Sequence, residues 1–266
     1  MKEQKRYELL ETIYQTYNRR RFVYPDPLHF LYRYRDVRDR EVAGIVASSL
    51  AYGRVAQLVN SIEVVLEKLG PCPAAFISSA SSRSLHRLFA GFRHRFTTGR
   101  DISELLCALK HILKRYGSVH ACFTAGIDST ACSTFWALQT FVSTLREHAP
   151  GLDGHVLPVP ERGSACKRLH LFLRWMVRCD EVDPGGWEDL SPVILVVPVD
   201  VHMHRIGRAL GFTTRTQADF KTALEITEGF RRYCPHDPVR YDFALTRYGI
   251  RTDMDMQTML TTMRKT

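Results

Sequence analysis

Two short stretches of this sequence hold side chains that could act on a substrate. The first is Leu157-Pro158-Val159-Pro160-Glu161-Arg162-Gly163-Ser164-Ala165-Cys166-Lys167-Arg168. Its prolines and glycine require a tight turn, Ser164 is a natural helix N-cap, and the amides left free at such a helix start attract phosphate. Lys167 then falls in the first helical turn, where the positive end of the helix dipole disfavours an ammonium and makes the amine easier to deprotonate. A neutral amine can attack an electrophilic carbon. The second stretch is Val197-Pro198-Val199-Asp200-Val201-His202-Met203-His204-Arg205-Ile206-Gly207-Arg208. Asp200 is placed to cap a helix that starts at Val201, and a carboxylate held there is rigid enough to act as a base or to stabilise a cation.

Other uses of the same residues stay open. Lys167, His170, Arg174 and Arg178 follow one another at helical spacing, which makes one basic stripe, either a surface for phosphates or a plain solvated face. If the second stretch continued as a strand, Asp200, His202 and His204 would share a face and read as part of a metal-dependent hydrolase. On a helix the two histidines diverge by about 200°.

The elements that must position these groups are helices. Residues 54–69 put Val55, Leu58, Val59, Ile62, Val65, Leu66 and Leu69 on one face, and 101–116 do the same with Ile102, Leu105, Leu106, Leu109, Leu113 and Tyr116. Asp101 with Glu104 reads as a capping box for the second, and Gly70-Pro71 and Gly117 end the two. Further helices are expected at 3–18, 38–52, 131–147, 165–178, 201–210, 216–231, 238–247 and 253–264. Ser78 to Ser84 forms a small serine-rich turn. The run Val193 to Val199 is apolar and β-branched, but Pro198 argues against a central strand, so an extended connection into the helix at Val201 is expected. The fold class is all-α, one folded unit without a linker or repeat.

Composition narrows the partners. The 266 residues include 37 Lys+Arg against 28 Asp+Glu, a net charge of +9, which favours a polyanionic partner through counterion release. The apolar runs are far shorter than the roughly 20 residues of a membrane span. Seven cysteines without a Cys-x-x-Cys pair, together with an N-terminus lacking a signal-type apolar core, point to reduced thiols and a cytoplasmic chain.

Pro158 to Lys167, followed by Pro198-Val199-Asp200-Val201-His202-Met203, resembles the helix-hairpin-helix DNA glycosylase superfamily. There a hairpin lysine and an aspartate before the next helix form the active site. The Pro-Val-Asp-Val-His-Met string is especially similar to 8-oxoguanine glycosylases. Ser48-Ser49-Leu50-Ala51-Tyr52-Gly53-Arg54 and Asp237-Pro238-Val239-Arg240-Tyr241-Asp242-Phe243 resemble a bacterial family related to that superfamily. Two features differ. The hairpin keeps one glycine where the superfamily reads Leu-Pro-Gly-Val-Gly, and the separation from Lys167 to Asp200 is long, similar to the archaeal 8-oxoguanine branch and implying an insertion at 179–192.

The resemblance implies a two-lobed body: a helical barrel at 38–178 ending in the hairpin, and a second lobe made of 1–37 plus 179–266, with the active site between them. It implies a monomeric base-excision glycosylase and abasic-site lyase, acting through Lys167 and Asp200 on damaged DNA, first of all on 8-oxoguanine. Gly163, Ser164, His202, Arg174 and Arg178 are the expected DNA contacts. Tyr52, Trp175, Trp187 and Asp242 are candidates for the base pocket. No metal, no other cofactor and no iron-sulfur cluster is expected, since the C-terminal region lacks the cysteines for one. A non-catalytic nucleic-acid binder on the same scaffold is the alternative, with the metal hydrolase behind it.

Overall fold

The computed structural model describes residues 2–127, 134–152 and 156–265. Among these the chain is helical, and its one sheet is a two-residue antiparallel hairpin, Arg93–His94 with Thr97–Thr98. The helices are α1 (Lys2–Tyr17), α2 (Val37–Ser49), α3 (Val55–Leu69), α4 (Pro73–Ser79), α5 (Ser82–Phe89), α6 (Gly99–Tyr116) and α7 (Val119–Thr124). They continue as α8 (Phe135–His148), α9 (Lys167–Val177), α10 (Val201–Ala209), α11 (Phe220–Arg231), α12 (Asp242–Ile250) and α13 (Met256–Lys265). Short 3-10 segments at Pro27–Arg33, Pro160–Arg162 and Pro192–Ile194 link them.

Local chemistry explains most boundaries. α3 stops at Gly70 and α6 at Gly117, both with positive φ, where a side chain would be strained. The capping box of α6 is not Asp101 with Glu104. Thr98 caps the helix and Asp101 returns the bond to the Thr98 amide, because the helix begins two residues earlier than its apolar period. The serine-rich stretch is a junction between two helices, α5 being capped by Ser81. The helix expected from 131 is seen from Phe135, since 131–133, with Cys132, lie outside the described residues.

Packing sorts the helices into two sets. α2 lies against α9, α4 and α7, and α6 against α4, α5, α7 and α8. α1 packs on α12, and α10 on α11, α12 and α13. Two stretches outside 38–178 also lie against the first set. Pro27–Arg33 packs on α2 and α3. Trp187, fully buried, donates its indole N–H to Glu41 on α2, stacks on Phe123 and meets Phe172 edge to face. The apolar run expected to be extended from Val193 begins instead in the 3-10 turn Pro192–Ile194; Leu195 is extended, and Leu195 to Val199 is buried without regular structure, with the Val197 amide satisfied by Thr227. It delivers Asp200 to the start of α10.

Candidate active site

The turn before α9 lies where its prolines and glycine require one, but Ser164 does not cap the helix. Pro160–Arg162 makes one 3-10 turn, and Gly163 closes it in the left-handed conformation, its amide donating to the Pro160 carbonyl at 2.9 Å. Ser164 then pairs as a short bridge with Asp219, and the Phe220 amide donates to the Gly163 carbonyl at 3.1 Å. The residue that leads into α9 is Cys166, itself left-handed at φ 45°. Ser164 is not the N-cap. Its hydroxyl accepts from the Cys166 amide at 3.2 Å and braces that turn.

Asp200 caps α10 with one carboxylate oxygen. Its Oδ1 accepts from the amides of His202 at 2.9 Å and Met203 at 2.8 Å, which satisfies two of the donors left free at a helix start. The other oxygen, Oδ2, stands 4.0 Å from Lys167 Nζ, with the two side chains 19% and 33% exposed. Two residues separated by 33 positions (200 − 167) are thus brought to one point. Both line a cleft of about 770 Å³, together with Tyr52, Gly163, Ser164, His202 and Asp242.

The base of the cleft is charged and buried. Arg174 bonds Asp242 through Nη1 and Asp183 through Nε, the latter at 3.2 Å. Arg247 bonds Asp26 at 2.7 Å. Burial pushes the Asp242 carboxyl up to about 6, against the pull of Arg174. Burial also opposes ionisation of Asp26, but Arg247, Arg174 and the Leu28 amide hold it below its ordinary value. On the wall, Arg168 donates to the Ser49 carbonyl at 2.7 Å and lies 5.3 Å above the Tyr52 ring. Tyr52 is fixed in turn by its hydroxyl, which bonds the His94 carbonyl and Thr97 of the small hairpin.

Residues 26–251 match the family described as protein of unknown function (DUF2400). The chain belongs to the DUF2400 family. No curated protein and no solved structure matches it. The match spans Lys167, Asp200 and the buried charges below them, so every cleft residue except Pro25 lies within the DUF2400 region.

Several expected site residues of this DUF2400 chain take other roles. Arg174 and Arg178 are not a phosphate-facing stripe. Both are buried in an ion network in which Asp183 joins them and Asp180, Asp237 and Asp242 complete the pairs. His170 is also buried, stacked at 6.4 Å from Phe220, and burial lowers its pKa to about 4. Trp175 and Trp187 are core residues that do not line the cleft. His202 does line it, half-buried, with Nδ1 turned against Gly249. His204 goes elsewhere, Nε2 meeting the Arg215 carbonyl at 2.9 Å. Among the described residues no three His, Cys, Asp or Glu side chains are grouped to hold a metal ion, and no helix is long and apolar enough to cross a membrane.

Asp26, Arg168 and Arg247 were missed. Asp26 carried a signal in Pro25-Asp26-Pro27, where an aspartate before proline caps a helix start. Arg247, in the apolar run Phe243-Ala244-Leu245-Thr246-Arg247-Tyr248, carried the signal of a charge that must find a buried partner.

Proposed function

We propose that this protein is a DNA glycosylase with abasic-site lyase activity, of the two-lobed helix-hairpin-helix kind, acting first on 8-oxoguanine. The observation that carries the proposal is the approach of Lys167 Nζ to Asp200 Oδ2, 4.0 Å apart in a cleft large enough for a flipped nucleotide. An amine beside a carboxylate matches the needs of this chemistry. The Lys167 nitrogen forms a bond to the sugar C1′ as the glycosidic bond breaks, and the base leaves with the bonding electrons and takes up a proton. Positive charge grows at C1′ during this step, and the Asp200 carboxylate stabilises it. One proton then passes from the attached nitrogen to the ring oxygen O4′ as the C1′–O4′ bond breaks, which leaves an open-chain protonated Schiff base. Loss of a proton from C2′ expels the 3′ phosphate and nicks the strand.

DNA is held at the rim rather than along α9. Gly163 has open space where a side chain would stand, and exposed Arg162 precedes it on the same turn, so the backbone there can approach a phosphate closely. His202 supports a second phosphate contact. The test is borohydride trapping on oligonucleotides carrying 8-oxoguanine, oxidised pyrimidines, uracil or an abasic site. A covalent adduct on the abasic duplex and on 8-oxoguanine is expected. Absence of an adduct on every substrate would contradict the proposal, since a passive binder or a hydrolase forms none.

A further inference from the structure

The cleft ends on three buried side chains that keep polar atoms without a partner. Arg174, Asp242 and Arg247 are 2%, 2% and 1% exposed, and all three line the cleft. The Arg174–Asp242 contact uses Nη1 and Oδ2, and the Arg247–Asp26 contact uses Nη2. Left over are Arg174 Nη2, Arg247 Nη1 and Asp242 Oδ1, none of which has a hydrogen-bond partner. Both guanidinium groups lie over the ring of Phe243, at 5.8 and 4.1 Å from its centroid. Buried polar atoms that the fold leaves unpaired are costly unless a ligand pairs them. This array therefore has a chemical complement.

We infer that the floor of the cleft reads the edge of a flipped base that offers two carbonyl acceptors with one N–H between them. The two arginine N–H groups supply donors for the two carbonyl oxygens, and Asp242 Oδ1 accepts from the N–H between them. At pH 7.5 the Asp242 carboxyl, raised by burial only to about 6, is mainly in the accepting form. The inference rests on the glycosylase reading for the presence of a flipped base, and it deepens that reading by naming what distinguishes 8-oxoguanine from guanine. Oxidation at C8 of guanine converts the edge O6, N7 into O6, N7–H, O8, which is the required pattern. Normal guanine has a lone pair at N7, which Asp242 would repel. Uracil, oxidised thymine and thymine itself present O2, N3–H, O4 and fit the same floor, whereas guanine and adenine do not, so the floor discriminates among purines.

The experiment separates recognition from chemistry. Fluorescence anisotropy with a duplex holding 2′-fluoro-8-oxoguanosine reads binding without base release, because the fluorine blocks the cationic transition state. Wild type should prefer this duplex over the same duplex with 2′-fluoroguanosine by roughly ten- to hundred-fold, the worth of one or two hydrogen bonds to buried charged groups. Asp242→Asn and, separately, Arg247→Lys should remove at least ten-fold of that preference while leaving affinity for undamaged DNA in place, with melting curves checking that both fold. Trapping on an abasic duplex, which has no base to read, should fall in Asp242→Asn by much less than the discrimination does. Equal discrimination by wild type and both variants overturns the inference, and so does loss of abasic-site trapping in Asp242→Asn. A wild type that discriminates but never traps on the abasic duplex contradicts the lyase reading and leaves the recognition floor standing.

Discussion

Replacing Asp200 by Asn separates the two jobs of that side chain. Its cap survives, because an asparagine oxygen can accept from the amides of His202 and Met203 as Oδ1 does. The lost stability is then the charge–dipole part, about 0.3–1 kcal/mol. The charge lost from the cleft matters more. At 4.0 Å, the Lys167–Asp200 distance, two unit charges interact by about 1 kcal/mol in water and about 4 kcal/mol at the effective dielectric near a protein surface. On the proposed chemistry, a cation forming at C1′ between these groups would meet the carboxylate at a similar range. Since both side chains are partly exposed, a middle figure of about 2–3 kcal/mol applies, which slows base release by roughly 30- to 150-fold. Lyase action on a preformed abasic site involves no departing base and should slow by less than about ten-fold. Single-turnover gels on 8-oxoguanine and abasic duplexes measure the two rates, and a melting curve should move by no more than about 4 °C. Equal slowing of both reactions, or a far larger fall in melting temperature, would refute the separation.

Other perturbations test the surroundings. Arg174→Ala strips Asp183 and Asp242 of a buried partner and should cost about 3–5 kcal/mol in urea unfolding; a loss under about 1 kcal/mol would return this arginine to a solvated face. Asp242 has a folded pKa raised to about 6 above an ordinary 3.8, so its stabilising effect is complete below pH 3.8 and is lost as pH rises through about 6. Wild type should therefore lose stability relative to Asp242→Asn by about 2–3 kcal/mol between pH 4 and 7, and a gap that stays constant would contradict this. A Cβ at Gly249 would sit 2.2 Å from His202 Nδ1. Gly249→Ala should displace that ring, cost about 1–3 kcal/mol and weaken DNA binding, and unchanged affinity would remove His202 from the phosphate contacts.

What could be read from the sequence was local. The apolar faces of α3 and α6, the glycines that end them, and the capping of α10 by Asp200 each depend on residues within a few positions of one another. The pairing of Lys167 with Asp200 was expected from a resemblance rather than from spacing. The basic stripe misled because a row of charges at helical spacing looks the same whether water or carboxylates answer it. The carboxylates that pair with Arg174 and Arg178 are Asp180, Asp183, Asp237 and Asp242, the last 68 positions from Arg174 and on another helix. Ser164 misled for a similar reason. Its type favours a cap, but the bridge to Asp219 extends the chain there, and the left-handed turn at Cys166 starts the helix later. The three unpaired atoms on the cleft floor come from α9 and α12 and became visible only once those helices met.

The central claim is that the Lys167 amine becomes bonded to a sugar carbon. Reaction with an abasic-site duplex under borohydride, followed by digestion and mass spectrometry of the adduct, locates the bond. The account predicts the added mass on the peptide containing Lys167 and no adduct from Lys167→Gln. An adduct on another amine in the wild type, or full trapping by Lys167→Gln, would contradict it.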